Sequence, residues 1–176
     1  MNLPPLLKEA TEKTYSSWAE ANELSDEEKN TKFRRSVSVT AKYKENLRKE
    51  LRAGDVTWFS DAGKGVGGLG EHPGALAHFV AGLPLCQMTH YAERASVQGL
   101  KIDDLEMGAV AHYIGLSGHS FDEVEYTVAL VSEESPEDIR RLAFAAAGDC
   151  YVTNTLKRGC RVTGHIFLNG KHLADQ

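Results

Sequence analysis

PGALAHFVAGLPLCQMTHYAERASV, residues 73–97, is the stretch from which the fold is read. Leu76, Phe79, Val80, Leu83, Met88, Tyr91 and Ala95 recur at steps of three and four. That spacing gathers side chains on one stripe of an α-helix, so a central, mostly buried helix is expected from about Pro73 to Val97. Pro84 lies inside the pattern, where it removes a backbone hydrogen bond and crowds the preceding turn, and it predicts a kink or restart. Cys86 then falls in the first turn after the break. Freed amides there favour negative charge and lower a thiol pKa.

Downstream, two long strands are expected, roughly Leu105 to Ile114 and Val124 to Val131, the second burying Val124, Tyr126, Val128 and Leu130 by two-residue alternation. Ser135-Pro-Glu-Asp138 supplies an N-cap, a proline at the first helical position and early acids, so a helix follows to about Ala147, closed by Gly148. Asp149 is then a good N-cap for a short helical turn with Cys150 at its first position, and a last strand spans roughly Cys160 to Leu168. Upstream, Phe33 to Lys44 alternates with period two, placing Phe33, Arg35, Val37, Val39, Ala41 and Tyr43 on one face of a half-buried strand. Strands near Leu47–Leu51 and Val56–Phe59 complete a meander across short turns holding Asn46, Gly54 and Asp55. The first 30 residues read as a helix, a break, and a second helix whose start carries a capping box, Ser25-Asp-Glu-Glu28. The fold class is α+β, divided into a helical extension over residues 1–30 and a main domain over 31–176.

The chain has 176 residues, a formal net charge of −5 and three cysteines. It is large enough for one core and has no apolar run of the roughly 20 residues that a membrane span needs. Three cysteines are too few for a disulfide scaffold, which points to the reducing cytoplasm. Lys32 to Arg52 carries eight basic and two acidic residues, a local +6 that leaves −11 elsewhere. No aromatics interleave with those basic residues, so the stripe reads as the solvated face of two strands; neither nucleic acid nor membrane is expected as a partner. Six glycines between Gly63 and Gly74 lack the Gly-Lys-Ser/Thr ending of a phosphate loop and read as a flexible connection.

The residues leave two readings open for Cys86 and Cys150: reactive thiols at helix starts, or small hydrophobes of the core. Asp149 adds a negative charge that works against a Cys150 thiolate, which makes Cys86 the better nucleophile and Cys150 the better resolving thiol. Cys160 shares a strand face with Val162, Gly164, Ile166 and Leu168 and reads as core. Cys86 and His90 have a zinc-ligand spacing without a completing pair, so His90 reads as a satisfied histidine and no metal is expected.

Three pieces of the chain resemble the OsmC/Ohr family of osmotically inducible and organic hydroperoxide resistance proteins. One is His78-Phe-Val-Ala-Gly-Leu-Pro-Leu-Cys86 with Ala92-Glu-Arg-Ala and Gly99-Leu100; another is Cys150-Tyr-Val-Thr-Asn-Thr-Leu156; the third is the order of elements between them. The resemblance implies an OsmC-like fold over residues 31–176, an antiparallel sheet wrapped around two central helices in an intertwined homodimer. It also implies a thiol-dependent peroxidase without metal or organic cofactor. In such an enzyme Cys86 would match the cysteine that attacks a hydroperoxide and Cys150 the one that condenses with it. A dithiol such as dihydrolipoamide would reopen the bridge. The sequence departs from the family at three places. Ala75 and Ala77 stand where a proline and glutamate are usual, with Glu71 and Pro73 nearby, Tyr151 replaces the proline after the second cysteine, and the first 30 residues have no counterpart. Arg35, the charged residue on the apolar strand face, is the expected guanidinium partner of the thiolate. A non-catalytic dimer that binds a small apolar ligand, and a redox sensor, are the alternatives.

Overall fold

A computed structural model describes residues 3–115, 120–159 and 161–176. It divides into two compact units: Met1–Ser17 with Val80–Gln176, and Trp18–Phe79.

The second of these units contains α2 (Asp26–Phe33) and the meander β1 (Thr40–Tyr43), β2 (Lys49–Ala53) and β3 (Val56–Ser60), paired antiparallel in that order. The capping box forms as expected: the Ser25 hydroxyl accepts from the Glu28 amide, and the Ser25 amide donates to Glu28 Oε2 at 2.9 Å. This helix carries the chain through Phe33, so the first strand begins at Thr40 rather than at Phe33. The face expected to be half-buried is open to solvent, with Val37 96% and Val39 51% exposed. Alternation marks an extended backbone; burial needs a layer to pack on, and residues 34–39 have no ladder partner among the described residues. The β1–β2 turn places Asn46 and Leu47 at positive φ, which moves β2 two residues past its expected start.

The glycine-rich segment is organised rather than slack. Asp61 is buried, and although burial pushes its carboxyl pKa up, amides of Ala62, Glu71, Leu69 and Gly70 outweigh that and hold it below the ordinary range. Ala62 and Glu71 donate at 2.7 and 3.2 Å. At Gly68 a Cβ would lie 1.9 Å from the Ala62 carbonyl oxygen, so a side chain there would displace the loop.

In the first unit, β4 (Asp104–His112), β5 (Glu123–Val131), β6 (Arg161–Leu168) and β7 (Lys171–Asp175) form one sheet in chain order. β5 buries Val124, Tyr126, Val128 and Leu130, as the alternation predicts. One pair departs from an all-antiparallel sheet: β5 and β6 run parallel, because α4 (Pro136–Asp149) and α5 (Tyr151–Gly159) form the crossover between them. α4 starts at its expected cap, with the Ser135 hydroxyl accepting from the Asp138 amide at 3.1 Å and Pro136 in the first turn. β7 extends the fold beyond the expected last strand. It turns back through Asn169 and Gly170, both at positive φ, the dipeptide that favours a tight hairpin. Cys160, expected to pack in the core, lies outside the described residues.

α3 runs unbroken from Ala75 to Gln98, so Pro84 neither ends nor restarts it. Leu83, Tyr91 and Ala95 are fully buried against β5, β6 and α4, which give Tyr126, Val128, Ile166, Ile139, Leu142 and Ala146 to the same core. Each of the larger aliphatic side chains there contributes about 1.5–3 kcal/mol by leaving water. Leu76, Phe79 and Leu85 on the same helix are more than half exposed, so α3 is apolar on more than one side.

Candidate functional site

Cys86 and Cys150 are 64 residues apart in sequence and meet at one helix terminus. Because α3 does not restart at Pro84, the amides that reach Cys86 are those of another helix. The groups that act on the Cys86 sulfur are the backbone amides of Tyr151 and Val152, the first two residues of α5, and the thiol of Cys150. Gly82, one turn before Cys86, takes the Val152 side chain against the α3 backbone.

Cys150 is the junction residue between α4 and α5. Its backbone is extended, at φ −70° and ψ 115°, its carbonyl accepts from Asn154, and its sulfur accepts from the Thr153 amide at 3.4 Å. It therefore occupies the N-cap position of α5 and does with sulfur what serine or threonine does with oxygen. The sequence had given that place to Asp149, which is instead the last residue of α4.

The Asp149 carboxylate is committed elsewhere. It receives a forked pair of bonds from Arg94 on α3, 2.5 Å from Nε and 2.9 Å from Nη2, and a third at 3.3 Å from the Tyr15 hydroxyl of α1 (Leu6–Asn22). The Tyr15 ring lies 4.3 Å from the Arg94 guanidinium carbon, a cation–π contact. Burial first, and then Asp149 and Glu93, push the Tyr15 hydroxyl up to about 12 against the opposing pull of Arg94. The negative charge expected to oppose a thiolate at Cys150 is thus balanced by Arg94. The same pair ties α3 to the α4–α5 junction that carries Cys150.

Polar groups line the buried side. Gln87, the residue after Cys86, is fully buried and donates from Nε2 to the Thr153 hydroxyl at 2.9 Å, while its Oε1 has no partner among the described residues. His90 bonds Glu93 Oε2 through Nδ1 at 2.8 Å, a satisfied histidine.

Burial raises the Cys86 thiol above its ordinary pKa, the Tyr151 and Val152 amides work against that, and the Cys150 thiol adds to the rise. The sequence had predicted a lowered value from freed amides. The amides are present, on α5 rather than α3, and desolvation outweighs them. Arg35 belongs to the other unit, on an exposed segment before β1, where its guanidinium donates to the carbonyls of Lys32 and Arg34. Arg94, Tyr15 and Gln87 are given no role by the sequence, and Asp149 is read there only as a cap and an opposing charge. Arg94 was within reach of it, since Cys86, His90 and Arg94 lie at four-residue steps on one helix face. The Asp149 and Tyr15 contacts carry no local signal.

Residues 68–164 match the family model of the OsmC-like protein. No curated protein matches the chain. Among solved structures, the crystal structure of an OsmC-like protein from Mycoplasma pneumoniae is similar with a TM-score of 0.70 at 17% identity, covering 76% of this chain and 97% of that one. An organic hydroperoxide resistance protein from Elizabethkingia anophelis, crystallised with thiocyanate, is similar with a TM-score of 0.63 at 18% identity, covering 78% and 99%. One from Legionella pneumophila, described as a predicted redox protein and regulator of sulfide bond formation, gives a TM-score of 0.59 at 15% identity over 76% and 97%. At these identities the likeness is one of fold. Among the described residues, no helix is long and apolar enough to cross a membrane.

Proposed function

Because the chain belongs to the OsmC-like protein family, we propose that it is a cytoplasmic thiol-dependent peroxidase, reducing organic hydroperoxides or hydrogen peroxide through Cys86 and Cys150. The observation that carries this reading is the meeting of two free thiols at the N-terminus of α5, one half-buried and one buried. The half-buried Cys86 is the one a substrate reaches. Its thiolate attacks the distal peroxide oxygen, the O–O bond breaks, the alcohol leaves with a proton, and sulfur becomes a sulfenic acid. The Cys150 sulfur displaces that hydroxyl as water and forms the Cys86–Cys150 disulfide. A dithiol of the dihydrolipoamide kind returns both thiols by two exchange steps and leaves as its own disulfide.

Two further elements belong to this reading. The first is a homodimer: Leu85 beside Cys86 and Tyr151 beside Cys150 are 66% and 67% exposed, apolar surface at the rim of the site that a second copy would cover. The second is a cation. Burial holds the Cys86 proton on, and a guanidinium brought beside the sulfur would offset that, the role for which Arg35 is our candidate.

Consumption of cumene hydroperoxide with dihydrolipoamide as reductant tests the proposal. Turnover by the wild-type chain, lost in Cys86→Ser and limited to one equivalent in Cys150→Ser, is expected. A wild-type rate no greater than that of Cys86→Ser would end it. The raised Cys86 pKa favours a second reading, a non-catalytic dimer that binds a small apolar ligand. A ligand retained in native mass spectrometry, with thiols that stay reduced under peroxide, distinguishes it. Bridge formation without turnover marks a redox sensor.

A further inference from the structure

The strand added by the Asn169-Gly170 turn brings two histidines and an aspartate together on the outer face of the β4–β7 sheet. Asp175 Oδ1 lies 2.9 Å from His165 Nδ1 and 2.9 Å from His172 Nε2, and the three potential ligand atoms are all within 4.8 Å of one another. We propose that His165, His172 and Asp175 form a binding site for a divalent transition metal of the zinc class, separate from the thiols.

The backbone is shaped to make this meeting. His172 and Asp175 are three residues apart, so on a regular strand they would point to opposite faces. The register between β6 and β7 shifts at Ile166/Phe167: Asp175 pairs with His165 and Ala174 with Ile166, but His172 pairs with Phe167, leaving Leu173 as the extra residue. That bulge turns His172 onto the face that holds His165 and Asp175. Phe167 holds the His172 ring edge-to-face, with centroids 5.6 Å apart at 83°. On the far side of His165, Nε2 faces Glu125 Oε1 at 3.9 Å. A metal on Nδ1 fixes the His165 proton on Nε2, towards that carboxylate, the outer partner that histidine ligands commonly have.

Metal bonds of about 2.0–2.2 Å to nitrogen and carboxylate oxygen put neighbouring ligand atoms about 3 Å apart. The two Asp175 spacings already match, and the histidine nitrogens, within 4.8 Å of each other, close on a shared ion by rotation of exposed side chains. Two imidazoles and one carboxylate suit zinc, cobalt, nickel or copper rather than calcium or magnesium. All three side chains are at least a third exposed, so water completes the coordination shell and the metal enters without opening the fold.

Cobalt(II) titration of the full chain, purified without a polyhistidine tag, tests the assignment in the visible and near-ultraviolet. One equivalent with d–d bands and no thiolate charge-transfer band is expected, unchanged in Cys86→Ser. Uptake should be lost in His172→Ala and weakened at least about tenfold in Asp175→Asn. The wild-type melting temperature should rise on zinc addition, and that of His172→Ala should not. Uptake that survives His172→Ala, thiolate charge-transfer lost in Cys86→Ser, or no uptake by the wild type at millimolar cobalt would overturn it.

Discussion

Replacing Asp149 by asparagine keeps the shape of the side chain and removes the charge that Arg94 grips. The Arg94 and Asp149 side chains are 28% and 14% exposed, between a surface pair and a buried one. Exposed pairs are worth about 0.2–1 kcal/mol, whereas removing one partner of a buried pair costs about 3–5. With two charge-assisted bonds lost and part of the site solvated, the expected loss is about 2 kcal/mol, or roughly 4–8 °C in melting temperature for a chain of this size. The Tyr15 hydroxyl gives a second readout. Asp149 raises its pKa both as a charge and as a hydrogen-bond acceptor, so tyrosinate titration should show Tyr15 moving below its value of about 12, with burial, the largest cause, still in place. Closure of the Cys86–Cys150 disulfide under peroxide should slow roughly tenfold, because the tie between α3 and the α4–α5 junction is loosened. A melting temperature within about 1 °C of the wild type, with Tyr15 unmoved, would refute the role given to this pair.

Three other perturbations have defined outcomes. Gly164 pairs with Tyr126 across the parallel ladder, and a Cβ there would lie 2.1 Å from Tyr126 Cζ; Gly164→Ala should cost about 1–3 kcal/mol or prevent folding, read by chemical denaturation. Thr153→Val removes the acceptor of Gln87 Nε2 in a fully buried setting and should cost about 1–3 kcal/mol, whereas Thr153→Ser should recover most of it. The folded chain holds the Cys86 proton more tightly than the unfolded chain does. The stability this gives is complete below the unfolded thiol pKa and is lost as pH rises through that value towards the folded one. Cys86→Ser should remove this alkaline loss from denaturation curves, and iodoacetamide labelling of Cys86 should rise more steeply above neutrality than labelling of a model thiol.

What was legible in the sequence was what local chemistry decides. Ser25 and Ser135 start helices because a short hydroxyl side chain reaches an amide three residues on, and the alternation in β5 shows directly which residues it buries. The pairing of Cys86 with Cys150 came from family resemblance, since nothing near either residue names its partner. Among the expectations that changed, three show long-range packing overriding a local rule. Pro84 stays inside α3, the Phe33–Lys44 alternation begins in a helix and ends on an open face, and Asp149 gives the cap to Cys150 because Arg94 takes its carboxylate. The β7 strand could have been read, because Asn169-Gly170 is a strong hairpin signal. The outward turn of His172 could not, because it depends on a one-residue bulge whose position is set by pairing.

Peptide mapping under non-reducing conditions, after one equivalent of cumene hydroperoxide is added to the fully reduced wild-type chain, tests the pairing of the two thiols most directly. A single Cys86–Cys150 linkage should appear, with a Cys86 sulfenic acid trapped by dimedone in Cys150→Ser and no oxidation at Cys150 in Cys86→Ser. Cys86 left reduced while Cys150 or Cys160 is oxidised, or bridges that join Cys86 only to other sites, would contradict it.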